Sequence, residues 1–251
     1  MSLFEDLIED KELDKKIVKS FKSKESLSNN IFELSGKTYI MRDDIRKKLL
    51  EISDNFIETF GVEFFIHDIV LTGSLANYNW SQFSDVDLHI LIDFEESEYP
   101  RELVKEFFDA KKNVWNNNHN VKIKGFDVEV YVQDVEEEHV SSGVYSVLNN
   151  EWIIEPEQSK PKIDDRKILE KGEEYAKKID KLISDGVKKD TLEQIEKLRK
   201  KLKEFRQSGL ESGGEYSYEN LTFKLLRRNG YIEKLLKLKT DIVDKKLSIT
   251  Q

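Results

Sequence analysis

Apolar residues recur at three- and four-residue spacing through Ile45, Leu49, Ile52, Phe56 and Phe60, which predicts a helix with one buried face. Asp43 or Asp44 is placed to cap its start, and Gly61 ends it. A helix with a less regular apolar pattern is predicted over 5–22. Ile31–Leu34 and Lys37–Met41, joined by Ser35-Gly36, predict a hairpin. Beyond Gly61 the period shortens. Phe64–Leu71 reads as a strand closed by Thr72-Gly73-Ser74, and residues 75–83 as a short helical turn and loop. Asp85–Ile92 reads as a second strand, apolar through its latter half. A helix over 95–113 would turn Leu103, Phe107 and Phe108 inward. A third strand over 126–133 alternates Phe126, Val128, Val130 and Val132 with Asp127, Glu129, Tyr131 and Gln133.

After Pro156 and Pro161 the pattern is helical throughout. Ile168, Tyr175, Ile179 and Leu182 form one stripe, and Leu192, Ile195, Leu198, Leu202 and Phe205 a second. Asp190 with Glu193 resembles a capping box at the start of the second helix. Gly209, Gly213 and Gly214 mark a loop, and Leu221, Leu225, Ile232, Leu235 and Ile242 line a final helix. The elements predict an α+β mixed sheet flanked by helices over 1–155, followed by an antiparallel helical domain over 156–251.

Charge and composition narrow the chemistry. The 251 residues include no cysteine, so thiol nucleophiles and disulfide-linked partners are excluded, and with four histidines a histidine-rich metal site is not expected. The N-terminus has no basic stretch followed by an apolar run, and no apolar run is long enough to span a membrane. A soluble, cytoplasmic protein without a membrane partner is the expectation. The net charge of −9 is unevenly spread: residues 156–251 carry 24 Lys/Arg against 18 Asp/Glu, leaving 17 against 32 in the first 155. A polyanion would therefore meet the C-terminal half, although lysines on solvated helix faces account for such a balance more often.

The chemistry concentrates in Leu71-Thr72-Gly73-Ser74 and Ser84-Asp85-Val86-Asp87-Leu88-His89. Gly73 permits a sharp turn and close approach of backbone to phosphate, and Ser74 adds a hydroxyl beside backbone amides. Asp85 and Asp87, two apart on a strand, project from one face and suit a hard divalent cation with oxygen ligands. Asp127 and Glu129 share a face of the third strand, and either could be a third carboxylate. His89 would lie on the face of Asp85 and Asp87 and touch substrate or simply pack. Tyr78, Asn79 and Trp80 could stack on a base or pack against the fold, and Ser141–Ser146 could be an acceptor loop or a helix start. Arg227 and Arg228, with Lys224 one turn earlier, could fork onto phosphates.

This arrangement resembles the nucleotidyltransferase fold of the polymerase-beta superfamily, through Gly73, Ser74, Asp85, Asp87 and the acid at 127 or 129, over roughly 43–135. The run Leu71–Trp80 is also similar to predicted nucleotidyltransferases of tailed bacteriophages, which would place the protein in an infected bacterial cytoplasm. The resemblance implies transfer of a nucleoside monophosphate from a nucleoside triphosphate, ATP being the expected one, with Mg2+ or Mn2+ and release of pyrophosphate. It leaves the acceptor open among an RNA 3′ end, a small molecule and a protein hydroxyl. A non-catalytic nucleotide-binding or toxin-partner protein, and a pyrophosphate-transferring enzyme like the alarmone synthetases, are the competing expectations.

Overall fold

The computed structural model describes residues 3–137, 141–188 and 190–249. Helix α1 (Leu3–Ser20) is followed by the hairpin β1 (Phe32–Ser35) and β2 (Thr38–Met41), helix α2 (Asp43–Glu58), and strands β3 (Asp68–Thr72) and β4 (Val86–Ile92). A 3-10 turn at Phe94–Glu96 leads into α3 (Arg101–Asn118), then β5 (Lys122–Ile123), β6 (Phe126–Asp134), β7 (Val144–Ser146) and β8 (Glu151–Ile154). Helices α4 (Asp165–Ser184), α5 (Thr191–Gly213), α6 (Tyr218–Arg228) and α7 (Tyr231–Leu247) complete the chain. The result is an α+β fold with a mixed sheet flanked by helices and a C-terminal helical domain.

The sheet runs β5-β6-β4-β3-β7-β8. Strands β4 and β6 are parallel, which requires a crossover, and α3 provides it; the other pairings are antiparallel. One face carries Val86, Leu88, Ile90, Ile92, Val128 and Val130 into a core shared with Ile45, Leu49 and Phe56 of α2 and Phe108 and Trp115 of α3. Because side chains alternate along a strand, Asp87, His89, Glu129 and Tyr131 project from the other face. At the outer edge, β5 pairs only with Phe126 and Asp127 of β6. Further along, Asn116 of α3 replaces a strand: its amide donates to the Val130 carbonyl (3.0 Å) and its oxygen accepts from the Val130 amide (3.1 Å). Both backbone groups are thereby satisfied away from the ladder. The hairpin is tied to the far side of the sheet. The Tyr145 hydroxyl accepts from the Met41 amide at 3.1 Å, Trp152 Nε1 donates to the Tyr39 carbonyl at 2.6 Å, and Phe32 stacks on Trp152.

Two compact units divide the chain, and the division differs from the expected break at 155/156. One runs from Ser23 to Lys160; the other joins the residues before it to those after it. The first helix belongs with the helical unit because Ile17, Val18 and Phe21 are buried there, with α1 against α4 and α6. Arg228 donates to Ser20 Oγ (3.1 Å) and Asn229 to Asp14 (2.8 Å). Within this unit Gly172 lets α6 close on α4, since a Cβ there would lie 2.7 Å from Leu225 Cδ2.

Several local expectations are corrected. The strand over 64–71 starts four residues late, because Phe64 packs edge-on to Phe60 and Phe108 instead of extending the ladder. Residues 75–83 are turns without a helix. The helix over 95–113 is split at Pro100, and its true register leaves Leu103 51% exposed while Val104, Phe108 and Trp115 go inward. Neither Asp43 nor Asp44 caps α2, where Arg42 occupies the N-cap; both acids lie in the first turn, facing the positive end of the helix dipole. Asp190 makes no cap bond either, and accepts instead from Gln194 Nε2 at 2.6 Å. Helix α5 continues through Gly209 to Gly213, and the chain turns at Gly214 with φ +67°. The final helix is two helices, broken at Asn229-Gly230, where Gly230 takes φ +80°.

Candidate functional site

Strand pairing assembles the acidic cluster. Thr72 lies opposite Asp87 across β3–β4, and Asp87 opposite Glu129 across β4–β6. Asp85 precedes β4 by one residue. Ligand oxygens from Asp85, Asp87 and Glu129, all half-buried, lie within 4.8 Å of one another. Asp127 is placed otherwise: it is exposed and ion-paired with Lys122 of β5, outside this cluster. Three carboxylates at this spacing repel one another in a partly desolvated site unless a cation lies among them. An all-oxygen, anionic donor set fits a hard divalent ion such as Mg2+ or Mn2+.

Gly73 fits the same reading. Its φ of +72° is in the region that glycine favours, and a Cβ built on it would lie 1.9 Å from Asp87 Oδ2. The glycine thus admits both the turn and the carboxylate. The loop beyond is held by side chains. Ser74 Oγ donates to Ser84 Oγ at 2.7 Å, which also accepts from the Ser81 amide at 2.9 Å. Asn77 donates to Ser142 Oγ, and a Cβ on Gly143 would lie 2.0 Å from the Ala76 carbonyl oxygen. The small, polar stretch at Ser141–Ser146 is therefore not a helix start. It leads into β7 and is small because the Gly-Ser loop packs on it.

Tyr131 supports the third acid. Its hydroxyl donates to the Glu129 carboxylate, its ring lies 4.9 Å from that of His89, and Lys112 Nζ sits 5.3 Å above it. Burial first, then the bond to Glu129 and the charges of Glu129, Asp87 and Asp85, push the phenol well above its ordinary range, so it remains a donor. His89 Nδ1 is 2.8 Å from Gln133 Oε1. His89, Tyr131 and Gln133 form one wall of a cavity of about 170 Å³. Lys105, Asp109 and Lys112 of α3 form another. The sequence suggested these three strand residues through their shared face, but the contribution of α3 had no sequence signal, because it depends on how that helix lies along the β6 edge.

The remaining expected site residues lie elsewhere. Trp80 Nε1 donates to the Ser26 carbonyl (2.9 Å), and Lys24 sits over its ring at 5.7 Å, so it secures the loop against the 23–28 segment. Tyr78 is half-buried and its backbone carbonyl accepts from the Lys24 amide, while Asn79 is buried. Arg227 and Arg228 end α6 in the helical unit, where the Arg228 guanidinium lies 5.1 Å from the Phe21 ring centre. A second group with metal-ligand chemistry, His67, Asp93 and Glu96, lies at the other end of β3 and β4, where Asp93 already caps the amide of Glu95. Comparison with known family models, curated proteins and solved structures finds no match for this chain.

Proposed function

We propose that this protein is a divalent-metal-dependent nucleotidyltransferase with a polymerase-beta-like catalytic unit, moving a nucleoside monophosphate from a nucleoside triphosphate to an acceptor hydroxyl. The observation that carries this reading is the convergence of Asp85, Asp87 and Glu129 within 4.8 Å beside the left-handed Gly73 turn. When bound, the metal would supply charge neutralisation at the phosphates and a lower pKa for the attacking hydroxyl.

The chain's own residues divide the remaining work by position. The Gly73–Ser74 turn, on the β3 side of Asp87, is where backbone amides would receive the triphosphate. Glu129, on the β6 side, would hold the acceptor hydroxyl and assist removal of its proton. Tyr131 orients Glu129 through its hydroxyl, leaving a second carboxylate oxygen for that task. The cavity of about 170 Å³ next to Tyr131 lies on the acceptor side of this line.

The test is pyrophosphate release from each of the four triphosphates, with Mg2+ or Mn2+ and pooled RNA, against the Asp85→Ala/Asp87→Ala variant. Release that vanishes in the variant supports the reading and names the base. Release of a nucleoside monophosphate instead would move the protein to pyrophosphate transfer. Absence of both turnover and triphosphate binding would leave a non-catalytic protein.

A further inference from the structure

The helical unit holds a second concentration of charge. Along α5, Arg199, Lys203 and Arg206 follow one another at four and three residues, so they share one face over about 10 Å. They border a groove of about 390 Å³ between α5, α6 and α7, whose apolar floor includes Leu202, Phe223, Leu235 and Leu236. Leu236 is 41% exposed. At one end Glu196 offsets the charge, pairing with Arg199 at 3.2 Å and Lys239 at 2.6 Å. At the other end the cations gather. Arg206, half-buried with its guanidinium 4.9 Å from the Phe223 ring centre, lies in electrostatic range of Lys224 and Arg227. Glu215 is the acid near Lys224 there. Like charges gathered on a partly buried surface destabilise the fold unless an anion joins them.

We propose that this groove binds single-stranded nucleic acid, with backbone phosphates on Arg199, Lys203 and Arg206 and unstacked bases against the apolar floor. Phosphate charge matches the cationic rim, and a base offers a flat apolar face to Phe223 and Leu236 where a free phosphate offers none. A duplex keeps its base faces stacked and would meet only the rim. As a statement about binding the proposal stands alone. As a statement about the acceptor it rests on the nucleotidyl-transfer reading, naming an RNA strand as the substrate.

The experiment is fluorescence anisotropy of a labelled 12-nucleotide mixed A/U RNA, titrated with the full chain carrying Asp85→Ala/Asp87→Ala in metal-free, low-salt buffer. Using this variant keeps binding separate from catalysis, so failure here and failure of the enzymatic reading are distinguishable. Saturable binding is expected, with log K falling against log salt at a slope of about −2 for three phosphate contacts. Adding Arg199→Glu/Lys203→Glu should weaken binding at least tenfold. Lys245→Glu/Lys246→Glu, the same charge change at the end of α7, should alter it less than about twofold. Equal weakening by the two pairs, equal affinity for a 12-base-pair duplex, or displacement of the RNA by an equal phosphate concentration of tripolyphosphate would each overturn the proposal. So would the absence of binding by the unreversed chain.

Discussion

Asp87 and Glu129 are register partners in the parallel β4–β6 ladder, 42 positions apart in sequence and joined through the α3 crossover. Their side chains share a face because the pairing is set there and not two residues earlier, and the same pairing leaves Asp127 to Lys122. Glu129→Gln should therefore lower affinity for Mn2+, read by electron paramagnetic resonance, and turnover by about 100-fold or more. Asp127→Asn should leave both within about twofold. Reversal of this order would mean that β6 sits in a different register under turnover.

Tyr131 donates a hydrogen bond from its hydroxyl to the Glu129 carboxylate. Tyr131→Phe removes the hydroxyl without the ring, so the melting temperature should change little while metal affinity falls roughly tenfold. Because burial and neighbouring acids hold the phenol protonated in the metal-free protein, the 295 nm absorbance difference between wild type and Tyr131→Phe should show no phenolate up to pH 10 without added metal. A difference signal that rises below pH 10 would refute this.

Gly73→Ala places a Cβ on Asp87 and forces a left-handed conformation on alanine, which should cost about 1–3 kcal/mol and abolish turnover. In Gly73→Ala/Asp87→Ala the collision is gone but the backbone strain remains. That double variant should recover part of the lost stability and none of the activity, as measured by denaturant midpoint and pyrophosphate release.

Burial lowers Lys224 to about 8, with Arg228, Arg227 and Arg206 acting the same way and Glu215 opposing them. In the unfolded chain the amine keeps its ordinary value of 10.5, so between these values the unfolded state binds more protons. Its penalty on folding is full below pH 8 and fades as pH rises toward 10.5. Lys224→Met should consequently melt higher than wild type at pH 7, by roughly 2–4 °C for each kcal/mol relieved, with the gap closing by pH 10. A gap that does not change with pH would refute the charge origin of the effect.

How far the sequence spoke depends on the range of the force involved. Period-two alternation placed Asp85 with Asp87, and Glu129 with Tyr131, because pleating is local. It was silent between Asp127 and Glu129, since only the partner strand sets the register. Helical period found α2, yet put Leu103 inside, because Pro100 restarts the turn count. Strand β7 escaped notice because Gly143 and Ser142 answer to Ala76 and Asn77 across the fold, a demand for small residues that hides strand character. The first helix was placed with the wrong unit because nothing in its own pattern names α4 and α6 as the surfaces it covers.

The crowding at Gly73 also bears on the order in which a descendant of this protein could lose the proposed chemistry. Loss of Asp87 relieves the crowding and leaves the turn intact, so a lineage can survive it with a stable chain. Loss of Gly73 while Asp87 remains damages fold and site together, and selection would remove it. A retired relative should thus still carry the glycine after the acid has gone, so the turn alone is poor evidence of activity and the acid beside it is the residue to read.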